Sequence, residues 1–172
     1  VERSLRVLDG AVALYCAVGG VQPQSEQVWR QSEKYSVPKL AFINKMDRIG
    51  ADFFGVVEEI QGTLGANAVP MVIPIGKEDQ FNGVVDLINM KAVYFSEKDR
   101  GVTVTEEPIP EALLADARKW RANLVEKSAE QDDALLEKFL EQGDLSAEEI
   151  IPIIRKATMA RRIVPVYCGS GF

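Results

Sequence analysis

A short apolar run in the sequence, Leu40 to Ile43, ends directly in the polar residues Asn44, Lys45 and Asp47. The run is long enough for a buried strand, and side chains at the carboxyl end of a strand in an open α/β sheet project into the crevice where such folds bind ligands. An Asn side chain donates and accepts hydrogen bonds, whereas an ionised Asp only accepts them. Asn44 therefore suits the N7 and O6 edge of guanine, and Asp47 suits its N1 and 2-amino protons. The Lys45 stem can lie along the face of the ring.

This Asn-Lys-x-Asp spacing predicts selectivity for guanine, because adenine lacks both of the donors that Asp47 would accept. A buried carboxylate left without its partner costs more than the loss of one contact. A motif with a free position also recurs by chance, and the plainer interpretation is a solvated turn after a strand. The elements around the motif decide between the two.

The first part of the chain alternates strand and helix patterns. A near-continuous apolar run over 11–18 predicts a strand buried on both faces of a parallel sheet. Pro23 then predicts the start of a helix that ends near residue 36, and a second strand (39–44) and a second helix (51–64) follow. This order predicts an α/β fold with a parallel, doubly wound sheet and right-handed crossovers, in which Asn44 lies at the carboxyl end of a strand.

The pattern changes at about residue 67. Short strand-like pieces predict a small β layer rather than further βαβ units, and they lie at 69–75, 84–88 and 92–95. A last apolar run over 163–168 predicts a strand that leads into Gly169-Ser170-Gly171.

Three helices are predicted between these parts. The first covers 110–131, with an apolar stripe that includes Trp120 and Leu124. Asp132 or Asp133 can cap the second helix, which Gly143 would end. The pair Ser146 and Glu149 has the spacing of a capping box for the third helix, and Pro152 should bend that helix or delay its start. Charges on these helices are typical of a solvated face, with partner binding as the alternative.

Composition excludes several classes of protein. The 172 residues are 47% hydrophobic and 27% charged, which is ordinary globular usage. The absence of histidine excludes a His-based catalyst, and the net charge of −6 argues against broad nucleic-acid binding. Neither a membrane span nor a signal peptide is indicated, so we expect a cytoplasmic protein. Cys16 and Cys168 lie in apolar strand-like runs and are expected to be reduced, buried thiols.

Two further patterns imitate nucleotide motifs. Gly76-Lys77 lacks the first glycine of a phosphate loop, and Glu78 stands where Ser or Thr must reach magnesium. Asp47 also begins an Asp-x-x-Gly pattern, but it cannot bind a base and serve the γ-phosphate together. No phosphate loop occurs in the 172 residues, and without one phosphoryl transfer has no electrostatic stabilisation.

Long stretches of the sequence resemble the GTP-binding domain of bacterial elongation factor G, a translational GTPase that acts on the ribosome in protein biosynthesis. The stretches that carry this resemblance are Val1–Gly10, Cys16–Glu26, Val28–Gln31, Asn44–Arg48 and Gly83–Leu87. The resemblance implies the C-terminal part of a P-loop-NTPase-like sheet with an inserted α+β subdomain. It divides the chain into a partial GTP-binding domain (1–68), the inserted subdomain (69–162), and the last strand and guanine loop (163–172).

The resemblance also implies roles for single residues. Asn44, Lys45 and Asp47 match the family's guanine-specificity motif, and Gly169-Ser170-Gly171 matches its last nucleotide motif, usually Gly-Ser-Ala, with Ser170 and Gly171 as the residues at the base. In that motif a backbone N–H meets guanine O6. Gly171 in place of Ala keeps the donor but should loosen the loop. No catalytic residue and no metal ligand is assigned in this chain.

The resemblance implies a parent protein that binds GTP and GDP, with magnesium only in the full-length parent, and that drives ribosomal translocation. Its inserted subdomain, with acidic helices over 110–142, would contact the ribosomal stalk protein, and no membrane or sequence-specific nucleic-acid contact is expected. Because the apolar spacing from Val1 to Leu8 predicts a helix already under way at the first residue, we expect a fragment of a longer protein. Since the fragment has no phosphate loop, we expect it not to hydrolyse GTP alone. The alternatives are a related translational GTPase, such as a ribosome-protection protein or release factor, and an interaction module that acts through residues 69–162. A metabolic nucleotide enzyme ranks last.

Overall fold

The fold is that of a computed structural model, which describes residues 1–171; Phe172, the last residue of the predicted segment 163–172, lies outside the described residues. The chain forms two four-stranded sheets with helices packed around them. The helices are α1 (Glu2–Leu5), α2 (Pro23–Lys34), α3 (Phe53–Leu64), α4 (Glu111–Ala129), α5 (Asp133–Gln142) and α6 (Ala147–Met159). The strands are β1 (Ala11–Cys16), β2 (Lys39–Asn44), β3 (Ala68–Pro70), β4 (Val72–Ile75), β5 (Gly83–Asp86), β6 (Lys91–Phe95), β7 (Val104–Glu107) and β8 (Val164–Cys168).

The first sheet is parallel throughout, with the strand order β1-β2-β8-β3. Side chains alternate across β2, so that Ala41 and Ile43 are fully buried on one face. Helices α2 and α3 connect successive parallel strands, as the alternating sequence pattern predicts. The predicted α/β fold with a parallel sheet is confirmed.

One face of β1 is open, which corrects the expectation that this strand is buried on both sides. Val12 is 58% exposed and Leu14 is 63% exposed. The other face of the strand packs normally, with Tyr15 buried. The apolar run therefore predicts the strand correctly, but among residues 1–171 no segment covers the face that carries Val12 and Leu14.

The sequence placed residue 69 at the start of a separate β layer, and the structure differs there. Strand β3 pairs in parallel with β8, with Ala68 opposite Val164 and Pro70 opposite Val166. Met71 interrupts the predicted piece 69–75, and the chain then enters the second sheet at Val72. The apolar run looked continuous because both of its halves are buried, although they belong to different sheets.

The second sheet is an antiparallel meander with the order β4-β5-β6-β7. Three of these strands correspond to the predicted small β layer. The fourth, β7, was not predicted, because every residue from Val104 to Glu107 is exposed and the strand has no apolar alternation. It pairs with β6, from Ala92 opposite Glu107 to Phe95 opposite Val104.

The caps of the later helices follow the sequence. The Asp132 side chain accepts a hydrogen bond from the Leu135 N–H, and α5 ends at Gly143. Ser146 and Glu149 form the predicted capping box of α6. The helix begins at Ala147 and contains Pro152, so the proline does not delay the start.

Helices α4 and α6 both pack against the parallel sheet, and α4 also contacts the second sheet. Helix α4 contacts β3 and β4 and buries Ala117 and Leu124, whereas α6 contacts β2 and β8 and buries Ile150. The buried residues of both sheets form one continuous hydrophobic cluster. At the other end of the chain, α1 is a single turn that stops at Leu5, shorter than the helix predicted up to Asp9-Gly10.

Within residues 1–171 no helix has the length and apolar character needed to cross a membrane.

Candidate functional site

The two predicted nucleotide segments meet at one edge of the parallel sheet. Strands β2 and β8 are neighbours, and Ile43 lies opposite Cys168 at their carboxyl ends. The Gly169 N–H donates to the Ile43 carbonyl over 3.1 Å, and the Met46 N–H donates to the Gly169 carbonyl over 3.2 Å. The backbone ladder therefore continues past both strands and joins the loop 44–50 to the loop 169–171.

The side chains of this edge contact each other across the two loops. The Gly171 N–H donates to Asn44 Oδ1 over 3.0 Å, and the Ser170 hydroxyl donates to Asp47 Oδ1. Asn44, Asp47 and Ser170 are half-buried, and Gly171 is exposed. The structure thus brings together four of the five residues that the sequence indicated, by direct hydrogen bonds between residues 123 and 127 positions apart.

Lys45, the fifth residue, lies between them in a strained backbone conformation. Its φ is 65°, in the left-handed region that non-glycine residues rarely adopt. The Arg48 N–H donates to the Lys45 carbonyl over 3.1 Å and closes the turn, while Met46 is 1% exposed and anchors it in the core. Such strain persists only where the surroundings impose it, and it is common at ligand sites.

The site retains one free hydrogen-bond donor and one free acceptor. Within residues 1–171, Asn44 Nδ2 and Asp47 Oδ2 make no hydrogen bond to protein atoms. An amide donor and a carboxylate acceptor side by side match a base edge that presents an acceptor next to two donors. The free donor and acceptor at this edge are therefore chemically compatible with a guanine base.

A cavity of about 830 Å³ adjoins these loops. Asp47, Gly169 and Ser170 border it on the side of the parallel sheet. The other side includes Phe95 of β6 and Phe81 of the connection between β4 and β5. An apolar recess with a few convergent polar groups is the usual form of a small-molecule site, so the edge has room for a planar base.

Two residues fix the second loop: Gly169, which belongs to the predicted motif, and Phe42, which was not singled out from the sequence. A Cβ on Gly169 would lie 2.7 Å from the Phe42 ring, so a larger residue would force this ring or the loop to move. A glycine directly after a predicted strand is the signal that could have pointed to this close approach. Phe42 gives no such signal, because it looks like any strand residue.

Two more contacts come from loops far away in sequence. The Ala17 N–H donates to the Asn44 carbonyl over 2.8 Å, and the Ala17 carbonyl accepts from the Asp52 N–H over 2.9 Å. Glu78, whose side chain cannot serve as the magnesium ligand of a phosphate loop, accepts a hydrogen bond from the Gly50 N–H over 2.9 Å. Neither residue has a sequence pattern that marks it.

Both cysteines lie at this edge as free thiols. Cys168 is buried as expected, and burial raises the pKa of its thiol to about 12. Cys16 is only half-buried, which differs from the prediction. A hydrogen bond from the Gly19 backbone lowers the pKa of Cys16, and the nearby charges of Lys45 and Arg48 add to this effect.

Among the described residues there is no cluster of three or more His, Cys, Asp or Glu side chains that could hold a metal ion.

A parallel α/β sheet with an Asn-Lys-x-Asp loop and a second loop on the neighbouring strand defines the guanine-nucleotide-binding class of domain. The family model of the elongation factor Tu GTP binding domain matches residues 1–172, and the chain belongs to this family. The match places the chain among GTP-binding domains of the translational GTPase type.

The fold is also similar to a solved structure, the crystal structure of ttk003000868 from Thermus thermophilus. The TM-score is 0.85 and the sequence identity is 25%, over 98% of this chain. The chain spans 25% of the length of that protein.

Proposed function

We propose that this chain is the guanine-recognition part of a translocating elongation factor of the elongation factor G type. The observation that carries the proposal is the convergence of Asn44, Asp47, Ser170 and Gly171 at one sheet edge, with a donor and an acceptor left for a base. The segments 1–68 and 163–172 then belong to the GTP-binding domain, and 69–162 to the inserted subdomain. The pairing of β3 with β8 supports a start of that subdomain at about residue 71, slightly later than the predicted residue 69.

Each site residue has a distinct part in this proposal. Asp47 accepts the N1 and 2-amino protons of guanine, and the Ser170 hydroxyl orients the carboxylate for that purpose. Asn44 uses its Nδ2 to meet the N7 and O6 edge, while its Oδ1 is occupied by the Gly171 N–H. The Lys45 stem covers one face of the ring.

The Gly171 N–H has a second possible use, because the family motif directs a backbone N–H of this loop at guanine O6. In this structure that N–H donates to Asn44 instead. The proposal therefore gives Gly171 the task of orienting the Asn44 amide and leaves the O6 contact to Asn44.

Recognition of the base does not supply hydrolysis. Phosphoryl transfer depends on charge stabilisation around the phosphates, and magnesium bound in the full-length parent would contribute to it. All the residues assigned to the site are given roles towards the base, and none is given a role towards the phosphates. We therefore expect the 172-residue chain to bind GTP or GDP weakly or not at all, and to have no GTPase activity by itself.

The complete polypeptide that contains these residues is expected to act in the cytoplasm on the ribosome and to contact the stalk protein through the inserted subdomain. It would show ribosome-stimulated GTP hydrolysis and would move messenger RNA by one codon in a toeprinting assay. Hydrolysis without movement would favour a related translational GTPase of the ribosome-protection or release-factor kind. Turnover of GTP by the 172-residue chain alone would contradict the proposal.

A second function, an interaction module, is favoured by the surface of α5. This helix has no fully buried residue, and Leu140 is 75% exposed among acidic neighbours such as Glu137 and Glu141. Binding of the isolated stalk protein with and without GDP separates the two functions, since a pure interaction module would bind without nucleotide dependence.

A further inference from the structure

Glu78, a residue of the β4–β5 hairpin, forms hydrogen bonds to the loop that carries Asp47, one before and one after Asp47 in the sequence. The Glu78 N–H donates to the Met46 carbonyl over 2.9 Å, and Glu78 Oε1 accepts from the Gly50 N–H over 2.9 Å. Met46 directly precedes Asp47, and Gly50 follows it in the same loop. Glu78 therefore spans the base-recognising carboxylate with a backbone donor and a side-chain acceptor.

Glu78 is itself held in place by the hairpin connection. Its φ is 57°, in the left-handed region, and it begins the 3-10 turn Glu78–Gln80. The Phe81 N–H donates to the Glu78 carbonyl over 3.1 Å, and the Asn82 N–H donates to the Ile75 carbonyl over 3.2 Å. The glutamate is thus part of a closed turn between two paired strands.

Met46, whose carbonyl accepts from Glu78, is also fixed through its N–H. The Met46 N–H donates to the Gly169 carbonyl, so the backbone of Met46 is bonded to the second guanine loop through its N–H and to Glu78 through its carbonyl. The Asp47 loop is therefore held by hydrogen bonds to two segments that are distant in sequence, the second guanine loop and the β4–β5 hairpin. Together they fix the direction in which the Asp47 side chain points. Removing the Glu78 side chain frees the Gly50 end of the loop.

We propose that Glu78 is a positioning residue for base recognition: it aligns Asp47 with the 2-amino edge of guanine, although it does not touch the base. This inference rests on the proposed guanine-binding function and deepens it. One consequence is that displacement of the β4–β5 hairpin loosens guanine binding, because the hairpin and the Asp47 loop share these two hydrogen bonds.

The test compares Glu78→Ala with Glu78→Gln in the complete polypeptide, with Asp79→Ala as the matched control. Alanine removes the acceptor for the Gly50 N–H, whereas the glutamine carbonyl keeps it. Asp79 is a carboxylate in the same turn and, within the described residues, makes no hydrogen bond or ion pair. The readout is the ratio of the dissociation constants of inosine diphosphate and GDP, since inosine lacks only the 2-amino group.

Glu78→Ala is expected to lower the preference for GDP over inosine diphosphate by about tenfold, the size of one charge-assisted hydrogen bond that is no longer aligned. Glu78→Gln should restore most of this preference, and Asp79→Ala should leave it unchanged. Amide hydrogen exchange at Gly50 should become faster in Glu78→Ala only.

A purely structural role would lower the melting temperature of Glu78→Ala and leave the GDP preference intact, and this result would overturn the inference. An equal loss of preference in Glu78→Gln would also overturn it. If the unmodified protein shows no preference for GDP, the proposed guanine-binding function itself fails and this inference fails with it.

Discussion

Single residues at the sheet edge determine what the site can recognise. Asn44 and Asp47 each use one polar atom within the protein, through Gly171 and Ser170, and keep one for a ligand. Fixing a side chain in this way reduces the ordering that binding must impose, and a carboxylate with one bound partner accepts further donors in a defined direction. The chemistry of the base is therefore decided at two positions.

The first prediction concerns the carboxylate. Asp47→Asn replaces an acceptor by an amide that can donate, so the site should prefer the 2-carbonyl of xanthine to the 2-amino group of guanine. We expect the ratio of affinities for xanthosine and guanosine diphosphates to change by about 100-fold in favour of xanthine. Competition against a fluorescent nucleotide on the complete polypeptide measures this, with Asp79→Asn as a control that should not change the ratio. An Asp47→Asn protein that keeps its guanine preference would show that this carboxylate does not face the base.

The second prediction concerns the close approach at Gly169. A Cβ there would lie 2.7 Å from the Phe42 ring, so Gly169→Ala should destabilise the chain by about 1–3 kcal/mol through overpacking. Gly171→Ala is the matched control, because its Cβ would lie 3.8 Å from Asn44 Oδ1, an ordinary contact, and its cost should be within about 0.5 kcal/mol. Urea unfolding of both variants measures the difference. Equal stabilities would mean that Phe42 yields without cost.

At the scale of elements, the sequence predicts best where local rules decide. The capping residues Asp132 and Ser146 and the helix-ending Gly143 lie where local hydrogen bonding and backbone freedom place them. Strand β7 was missed because its partner β6, rather than its own pattern, makes it a strand. The continuous run over 69–75 gave no sign that it divides between two sheets, since burial looks the same in either sheet.

The third prediction concerns the pH dependence of stability that Glu149, near the start of α6, produces. The hydrogen bond to Lys138 and those to Ser146 lower the pKa of Glu149 to about 2, from an ordinary value of 4.5. Because the folded-state pKa is the lower one, the stability that the ionised carboxylate contributes is present above about pH 4.5 and is lost as the pH falls towards 2.

Glu149→Gln should therefore lower the melting temperature at neutral pH and converge with the unmodified protein as the pH falls through this range. Scanning calorimetry between pH 7 and pH 2 measures this. Glu148→Gln, at an exposed neighbour with no hydrogen bond among the described residues, should run parallel to the unmodified protein. A constant gap between Glu149→Gln and the unmodified protein at all pH values would contradict the assignment.

At the scale of the whole molecule, the two sheets share one core but differ in how well they are covered. The parallel sheet leaves Val12 and Leu14 open on β1, although parallel sheets normally have both faces covered. The α/β class and the meeting of β2 with β8 were predictable, because parallel strands place their carboxyl ends at one edge. The hydrogen bonds from Glu78 and Ala17 to the loops were not predictable, because single contacts of this kind produce no periodic pattern in the sequence.

The fourth prediction follows from this open face. An exposed apolar strand face next to an unpaired sheet edge promotes association, so the 172-residue chain should form concentration-dependent oligomers. The double variant Val12→Thr and Leu14→Thr should be more monomeric in analytical ultracentrifugation. Val102→Thr is the control, because Val102 is 82% exposed outside the sheet. A chain that is monomeric at all concentrations would show that this face does not drive association.

We propose that the two loops at the edge of the parallel sheet form a guanine-specific site. The most direct measurement is the displacement of a fluorescent guanine nucleotide from the complete polypeptide by unlabelled GDP and, separately, by ADP. A site that pairs Asp47 with the N1 and 2-amino protons should require at least about 1000-fold more ADP than GDP, because adenine leaves the carboxylate unpaired. Displacement by both nucleotides at similar concentrations would contradict the assignment of Asn44 and Asp47 to the base.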